Sequence, residues 1–305
     1  MSSLPIVLVV GPTAVGKSDL SLLLAHELAG EIVNADSMQL YRGLDIGTAK
    51  LALEQRQGIP HHLLDIWELR HQATVSQYQQ LARDAIADIQ SRGRVPILVG
   101  GSGLYVNAVV DDLKFPGTDQ QVRGRLEAEL DEVGPHEMHR RLAELDPAAG
   151  FAIYPGNGRR IVRALEVMEL TGQPFTATLA RGIPKIASIG VGLRVDRVEL
   201  DRRIEARVEM MWQLGLVDEV AQLVGEGLLE APTAARALGY QQILSWMSGS
   251  GTQEQAKLDT IVGTRRLARK QLGWFNRDER LAWFDVDDLP QARGQVLKFV
   301  SSALN

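Results

Sequence analysis

A chain of 305 residues with 45% hydrophobic and 23% charged content can bury one large core, or a core plus a smaller domain. The absence of cysteine excludes disulfides, thiolate zinc sites and cysteine nucleophiles. A net charge of −5 taken alone argues against a nucleic-acid partner, yet the basic residues are clustered; no segment has the length of a membrane span, so a soluble, cytoplasmic, monomeric protein is expected.

The N-terminal run in MSSLPIVLVVGPT lacks a basic lead and ends in a glycine loop, so it reads as a buried strand, Ile6–Val10, rather than a signal peptide. Asp19–Leu28 has helical periodicity. Glu31–Ala35 is a second strand ending at Asp36, and His62–Ile66 a weaker third. Val75–Ser91 reads as an amphipathic helix closed by Gly93, and Val95–Val99 as a strand followed by Gly100, Gly101 and Gly103. Alternating strands and helices predict an α/β fold: a P-loop NTPase-like, doubly wound parallel sheet. After Lys114 the strand signals fade. Phe115 to about Arg181 reads as helical, with helices at Gln120–Val133, Glu137–Glu144 and Gly158–Leu170. Strand signal returns at Ala187–Val195, followed by long helices at Leu200–Gly225 and Gln253–Phe275 and a short strand at Ala282–Val286. The expected organisation is a core of residues 1–114 plus 187–305 carrying a helical insertion of residues 115–186.

Residues Gly11, Pro12, Thr13, Ala14, Val15, Gly16, Lys17 and Ser18 match G-x-x-x-x-G-K-[ST] at every required position. Tight glycine turns aim backbone N–H groups at phosphate oxygens, the following helix adds its positive end, Lys17 adds a cation, and the Ser18 hydroxyl is a Mg²⁺ ligand. The motif does not say which phosphate compound binds. A nucleoside-triphosphate hydrolase adds an apolar strand ending in an acidic Mg²⁺ ligand. Here Val95–Val99 runs into Gly100-Gly101-Ser102-Gly103, and the strand that ends in a carboxylate is the second, at Asp36. This shifts the reading from ATP hydrolysis toward group transfer. Asp36, at a C-terminal strand end, should face the phosphate loop, either as a water-bridged Mg²⁺ ligand or as a proton acceptor; the structural alternative is a cap or turn before Ser37. Ser102 should reach the same crevice or serve only in its turn. His61 and His62 are adjacent and share no face, which favours structural roles.

These segments together resemble the tRNA dimethylallyltransferase (tRNA isopentenyltransferase) family. The resemblance rests on GPTAVGKS at 11–18, NADSMQLYRGLDIGTAK at 34–50, GIPHHLLDI at 58–66, PILVGGSGLY at 96–105, RRIVRALEVMELTGQP at 159–174, RIEARVEMMWQLGLVDEV at 203–220, ALGYQQ at 237–242 and RKQLGWF at 269–275. It implies transfer of a dimethylallyl group from dimethylallyl diphosphate to N6 of the anticodon-loop adenosine of tRNA (position 37), with release of diphosphate and with Mg²⁺ as cofactor. The phosphate loop would then hold the donor diphosphate rather than ATP. Asp36 would accept the N6 proton, and Ser102, where the family has Thr, and Arg207 would assist, with Ser18 and Asp36 as metal ligands. The tRNA would be met by Asp36, Ser37, Met38, Gln39 and Ser102, by Arg123, Arg159, Arg160 and Arg163 of the insertion, by Arg236, Gly239, Tyr240 and Gln241, and by Arg269, Lys270, Gln271 and Trp274. Arg265 and Arg266 extend the last cluster, whose charges and following aromatics suit phosphate tracking and base stacking.

Departures from the family pattern fall on the RNA side: Arg-Lys-Gln at 269–271 for Lys-Arg-Gln, Gly273 for Thr, Asn276 for a basic residue, and PGNGRR for a Pro-Asn-Asp segment. The competing readings are a small-molecule kinase on the same loop, a prenyltransferase for free adenine nucleotides, and an RNA-binding regulator with a vestigial site.

Overall fold

The computed structural model describes residues 4–175, 184–287 and 289–304. The chain divides into two compact units: residues 4–110 with 186–304, and residues 111–185, within those bounds. The sequence placed these divisions after Lys114 and before Ala187. Residues 176–181, the end of the expected helical stretch, lie outside the described residues.

The first unit is built on six parallel strands, β1 (Ile6–Val10), β2 (Gly30–Asn34), β3 (His61–His62), β4 (Val95–Gly100), β5 (Ser188–Arg194) and β6 (Leu281–Asp285), in the order β3-β2-β4-β1-β5-β6. Both faces are covered. On one lie Leu8, Val33 and Leu98 with Tyr78, Ile86 and Tyr240; on the other lie Val7, Val9 and Ile97 with Leu20, Leu24 and Val296. That double burial is why β1 is continuously apolar.

Helices α1 (Lys17–Glu27), α2 (Val75–Ser91) and α3 (Gly103–Val110) follow strands β1, β3 and β4. After β5 come α7 (Arg197–Gln213), α8 (Leu216–Gly225), α9 (Tyr240–Met247), α10 (Gln253–Phe275) and, after β6, α11 (Leu289–Leu304). The single helix expected at Leu200–Gly225 is two, because Gly215 takes φ 95°, a left-handed conformation that ends one helix and starts the next. The third strand is shorter than expected: Leu63 (φ 62°) and Asp65 (φ 56°) leave the extended region immediately after His62.

The second unit holds α4 (Gln120–Leu145), α5 (Pro147–Ala152) and α6 (Gly158–Thr171) around their own core of Leu126, Met138, Leu142, Ile161 and Leu165. α4 contains a break at Gly134 (φ 79°, ψ 166°) before Pro135, so it is two helical segments meeting where the sequence separates them. No helix among the described residues is long and apolar enough to cross a membrane.

Candidate active site

Strands β2, β4 and β1 are neighbours and run parallel, so the loops leaving their C-terminal ends emerge side by side. They carry Asp36, the Gly101-Ser102 turn and the phosphate loop. The approach is close. Ala35 N–H donates to the Val99 carbonyl at 2.7 Å, and a Cβ on Gly100 would lie 2.4 Å from the Ala35 carbonyl oxygen. The glycines after β4 are thus a packing requirement.

In the phosphate loop, Ala14 (φ 63°) and Gly16 (φ 99°) take left-handed conformations, the geometry of backbone anion nests. No side chain caps the N-terminus of α1, which leaves its first-turn N–H groups for a ligand. Lys17 Nζ folds back over the loop, donating to the carbonyls of Pro12 (2.7 Å) and Gly11 (3.1 Å). Burial pushes its pKa down to about 7; the Arg207 charge adds to the fall and Asp36 opposes it. Arg207, on α7, is likewise lowered by burial with Asp36 opposing, and its Nη2 reaches the Thr48 carbonyl at 3.5 Å.

Asp36 is held at both ends. Its N–H donates to Asn34 Oδ1 (2.9 Å), and its Oδ1 accepts the Met38 N–H (2.9 Å). The local motif is an Asx turn rather than a helix cap, and the carboxylate still lines the crevice. The Ser102 carbonyl accepts the Tyr105 and Val106 N–H groups, starting α3, while Ser102 itself lines the crevice.

The crevice has two chambers. The first, about 360 Å³, is lined by Thr13, Lys17, Ser18, Asp36, Gln39 and Arg207. The second, about 490 Å³, is lined by Ser37, Met38, Ser102, Tyr105, Arg236, Lys270 and Trp274. Thr13, Asp36, Thr48, Gly101, Arg207 and Gln271 line both. One chamber therefore carries the phosphate-binding chemistry, the other carries aromatic and apolar surface, and Asp36 stands on their shared wall.

The donor set suits Mg²⁺. Ser18 and Asp36 offer hard oxygens on the same chamber. Mg²⁺ keeps most of its waters and takes one or two protein oxygens plus phosphate.

Of the residues implied for RNA contact, Asp36, Ser37, Met38, Gln39, Ser102 and Trp274 line the chambers, and the others fall into three sets. Arg159, Arg160, Arg236, Gln241, Arg269 and Lys270 are exposed. Arg123 and Arg163 are turned inward on Glu166, which is 0% exposed, at 2.6 and 2.8 Å. Burial by itself raises the Glu166 pKa, and hydrogen bonds from Arg163 and Arg123 outweigh it and hold the carboxyl low. Arg163 also donates to the Pro116 and Gly117 carbonyls, so these two arginines hold the insertion together. Arg265 is similarly engaged by Asp201 and Glu205. The third set is turned inward, and for Tyr240 this corrects the expectation, whereas Gln271 still lines both chambers. Tyr240 is fully buried with its hydroxyl on Glu219, and Gln271 is 9% exposed with its Oε1 accepting the Thr13 N–H at 2.8 Å. Gln271 braces the phosphate loop, and a Cβ on Gly101 would lie 2.3 Å from its Nε2. Gly239 (φ 90°) is buried and serves as the turn into α9.

Of the two histidines, His62 pairs with Glu31 at 2.7 Å, whereas His61 lines the first chamber with Nδ1 on the Ile59 carbonyl. Burial lowers the His61 pKa. Thr48 and Tyr105 are chamber residues that the sequence did not single out, although both stand inside the segments LDIGTAK and GGSGLY.

The family model described as IPP transferase matches residues 39–278. A tRNA dimethylallyltransferase of Thermobifida fusca is 58% identical over 291 residues, covering 93% of this chain and 91% of that protein. One from Streptomyces avermitilis is 56% identical over 300 residues, covering 95% and 96%. Among solved structures, the full-length tRNA isopentenylpyrophosphate transferase of Bacillus halodurans matches with TM-score 0.73 and 39% identity, covering 98% of this chain and 96% of its own. A eukaryotic dimethylallyltransferase acting on tRNA matches with TM-score 0.79 and 26% identity over 94% of this chain and 75% of its own. A parallel sheet with a phosphate loop at the C-terminal end of an interior strand, together with these matches over nearly the full length, establishes that the chain belongs to the IPP transferase family of tRNA dimethylallyltransferases.

Proposed function

We propose that this enzyme transfers a dimethylallyl group from dimethylallyl diphosphate to N6 of the adenosine at position 37 in the tRNA anticodon loop. The observation that carries the reading is Asp36 on the wall between a cationic, phosphate-binding chamber and an apolar, aromatic one. The first chamber suits a diphosphate and the second an adenine splayed out of its stack.

In this reading the phosphate-loop N–H groups, Lys17 and Arg207 bind the diphosphate and stabilise the charge it gains as the C1–O bond breaks. Bound Mg²⁺, held by Ser18 and Asp36, would supply further neutralisation of the leaving group. Asp36, locked by Met38 N–H, orients N6 and takes its proton as the N6–C1 bond forms. Ser102 offers a hydroxyl on the acceptor side. Arg159, Arg160, Arg236, Gln241, Arg269 and Lys270 present cationic and polar groups to RNA. The protein works as a cytoplasmic monomer.

Incubation with unmodified tRNA, Mg²⁺ and labelled dimethylallyl diphosphate tests the reading. Label recovered at N6 of the anticodon-loop adenosine is the expected result. Unlabelled tRNA, or ATP turnover without prenyl donor, would reject it.

A further inference from the structure

Glu219, on α8, lies outside both chambers, yet it accepts three hydrogen bonds. Its Oε2 takes the Ile46 N–H at 2.7 Å; its Oε1 takes the Gly47 N–H at 3.3 Å and the Tyr240 hydroxyl at 2.5 Å. Tyr240, the first residue of α9, is 0% exposed. Its ring packs so tightly on the same loop that a Cβ on Gly47 would lie 2.4 Å from Cε2. The loop is thus gripped from below by a carboxylate and a phenol. Its far end is tied by Lys50, whose Nζ bonds Asp45, Asp65 and the Tyr41 carbonyl.

The next residue, Thr48, lines both chambers. Its carbonyl accepts from Gln39 Nε2 at 3.0 Å and from Arg207 Nη2 at 3.5 Å, and its Oγ1 donates to the Leu44 carbonyl at 2.6 Å. No other hydrogen bond to the Arg207 guanidinium is present among the described residues, so the position of Thr48 governs where that charge points.

We propose that Glu219 and Tyr240 are positioning residues for the diphosphate chamber: by holding Ile46 and Gly47 they set the Thr48 carbonyl, which in turn orients Arg207. The inference rests on the first chamber being a diphosphate site. A bare structural role would affect the stability of the whole unit; this one acts on a single ligand group.

The test uses Tyr240→Phe and Glu219→Gln in the full chain, titrated with inorganic pyrophosphate by calorimetry. Each variant is expected to raise the pyrophosphate dissociation constant by about fivefold or more, the effect of losing one charge-assisted hydrogen bond. Affinity for tRNA, carried mainly by exposed cationic groups elsewhere on the unit, should fall by less than the affinity for pyrophosphate. Glu219→Ala should fall further than Glu219→Gln, which retains one acceptor oxygen. Gly47→Ala, which pushes the loop off an intact pair, should reproduce the loss. In the transfer assay the defect should lie in KM for the prenyl donor. Wild-type pyrophosphate affinity in Tyr240→Phe and Glu219→Gln, whether or not their thermal midpoints fall, would overturn the proposal. Pyrophosphate binding needs no prenyl transfer, so a wild-type protein that binds pyrophosphate but leaves tRNA unlabelled rejects the reaction and not this assignment.

Discussion

Lys17 stands between Arg207, which disfavours its charge, and Asp36, which favours it, and burial decides the outcome at a pKa of about 7. A diphosphate beside the ammonium would stabilise the charged form, so the complex holds its proton to higher pH than the empty site. The sign follows. With the ligand's own ionisation subtracted, pyrophosphate affinity should be level below pH 7 and weaken by up to about tenfold per pH unit above it, until the complex itself titrates. Calorimetry in buffers of different ionisation heats should show proton uptake on binding near pH 8, and Lys17→Met should abolish it; a flat profile would contradict the assignment. Asp36 works by position, fixed through Asn34 and Met38. Asp36→Ala should leave tRNA binding intact and lower the single-turnover rate by about 10²-fold or more, the scale of losing a positioned base. Near-wild-type turnover would remove Asp36 from the chemistry. Both residues were legible in the sequence because a motif and a strand end fix them. Tyr240 was misread because sequence likeness marks a position without saying whether its side chain points outward or inward.

Helix α10 shows the same division along one element. Arg266, Arg269 and Lys270 are exposed and make no ion pair among the described residues, while Gln271 and Ala268 face inward. One helix thus offers charge on its outer face and braces the phosphate loop from its inner one. Replacing Arg269 and Lys270 together with Ala should weaken tRNA binding and make the slope of log affinity against log salt shallower by roughly 1.5, as expected for two lost phosphate contacts. An unchanged slope in filter-binding titrations would exclude them as backbone contacts. At this scale the sequence was most informative where periodicity is long: α2 and α10 have the ranges their patterns predicted. It was least informative for α3, α5 and α9, which are short, and it did not single out α11. The break between α7 and α8 turns on one backbone angle at Gly215, which no apolar pattern encodes.

Across the molecule, a net charge of −5 coexists with local basic faces, so the sum of charges says little about the partner. The order of the sheet explains the site more than composition does. Parallel pairing of β2, β4 and β1 brings together residues 11–18, 36 and 101–102, a meeting the sequence anticipated from strand ends alone, without the strand order that produces it. The second unit owns its core and the buried Glu166 cluster, so it should respond to damage as a unit. Leu142→Ala should cost it roughly 2–5 kcal/mol. Hydrogen exchange should then quicken across residues 120–171 while the amides of β1 and α1 keep their protection; loss of protection in β1 would show that the two units unfold together.

The indole that closes on Gly103, where an added Cβ would meet Trp274 Cδ1 at 2.1 Å, also lines the second chamber. Of the five tryptophans it is the one that lines either chamber, so the protein carries its own fluorophore on the wall of the second chamber, the proposed acceptor site. Its emission colour and quenching register the polarity of that space directly, which makes the loading of an unlabelled RNA base an optical event.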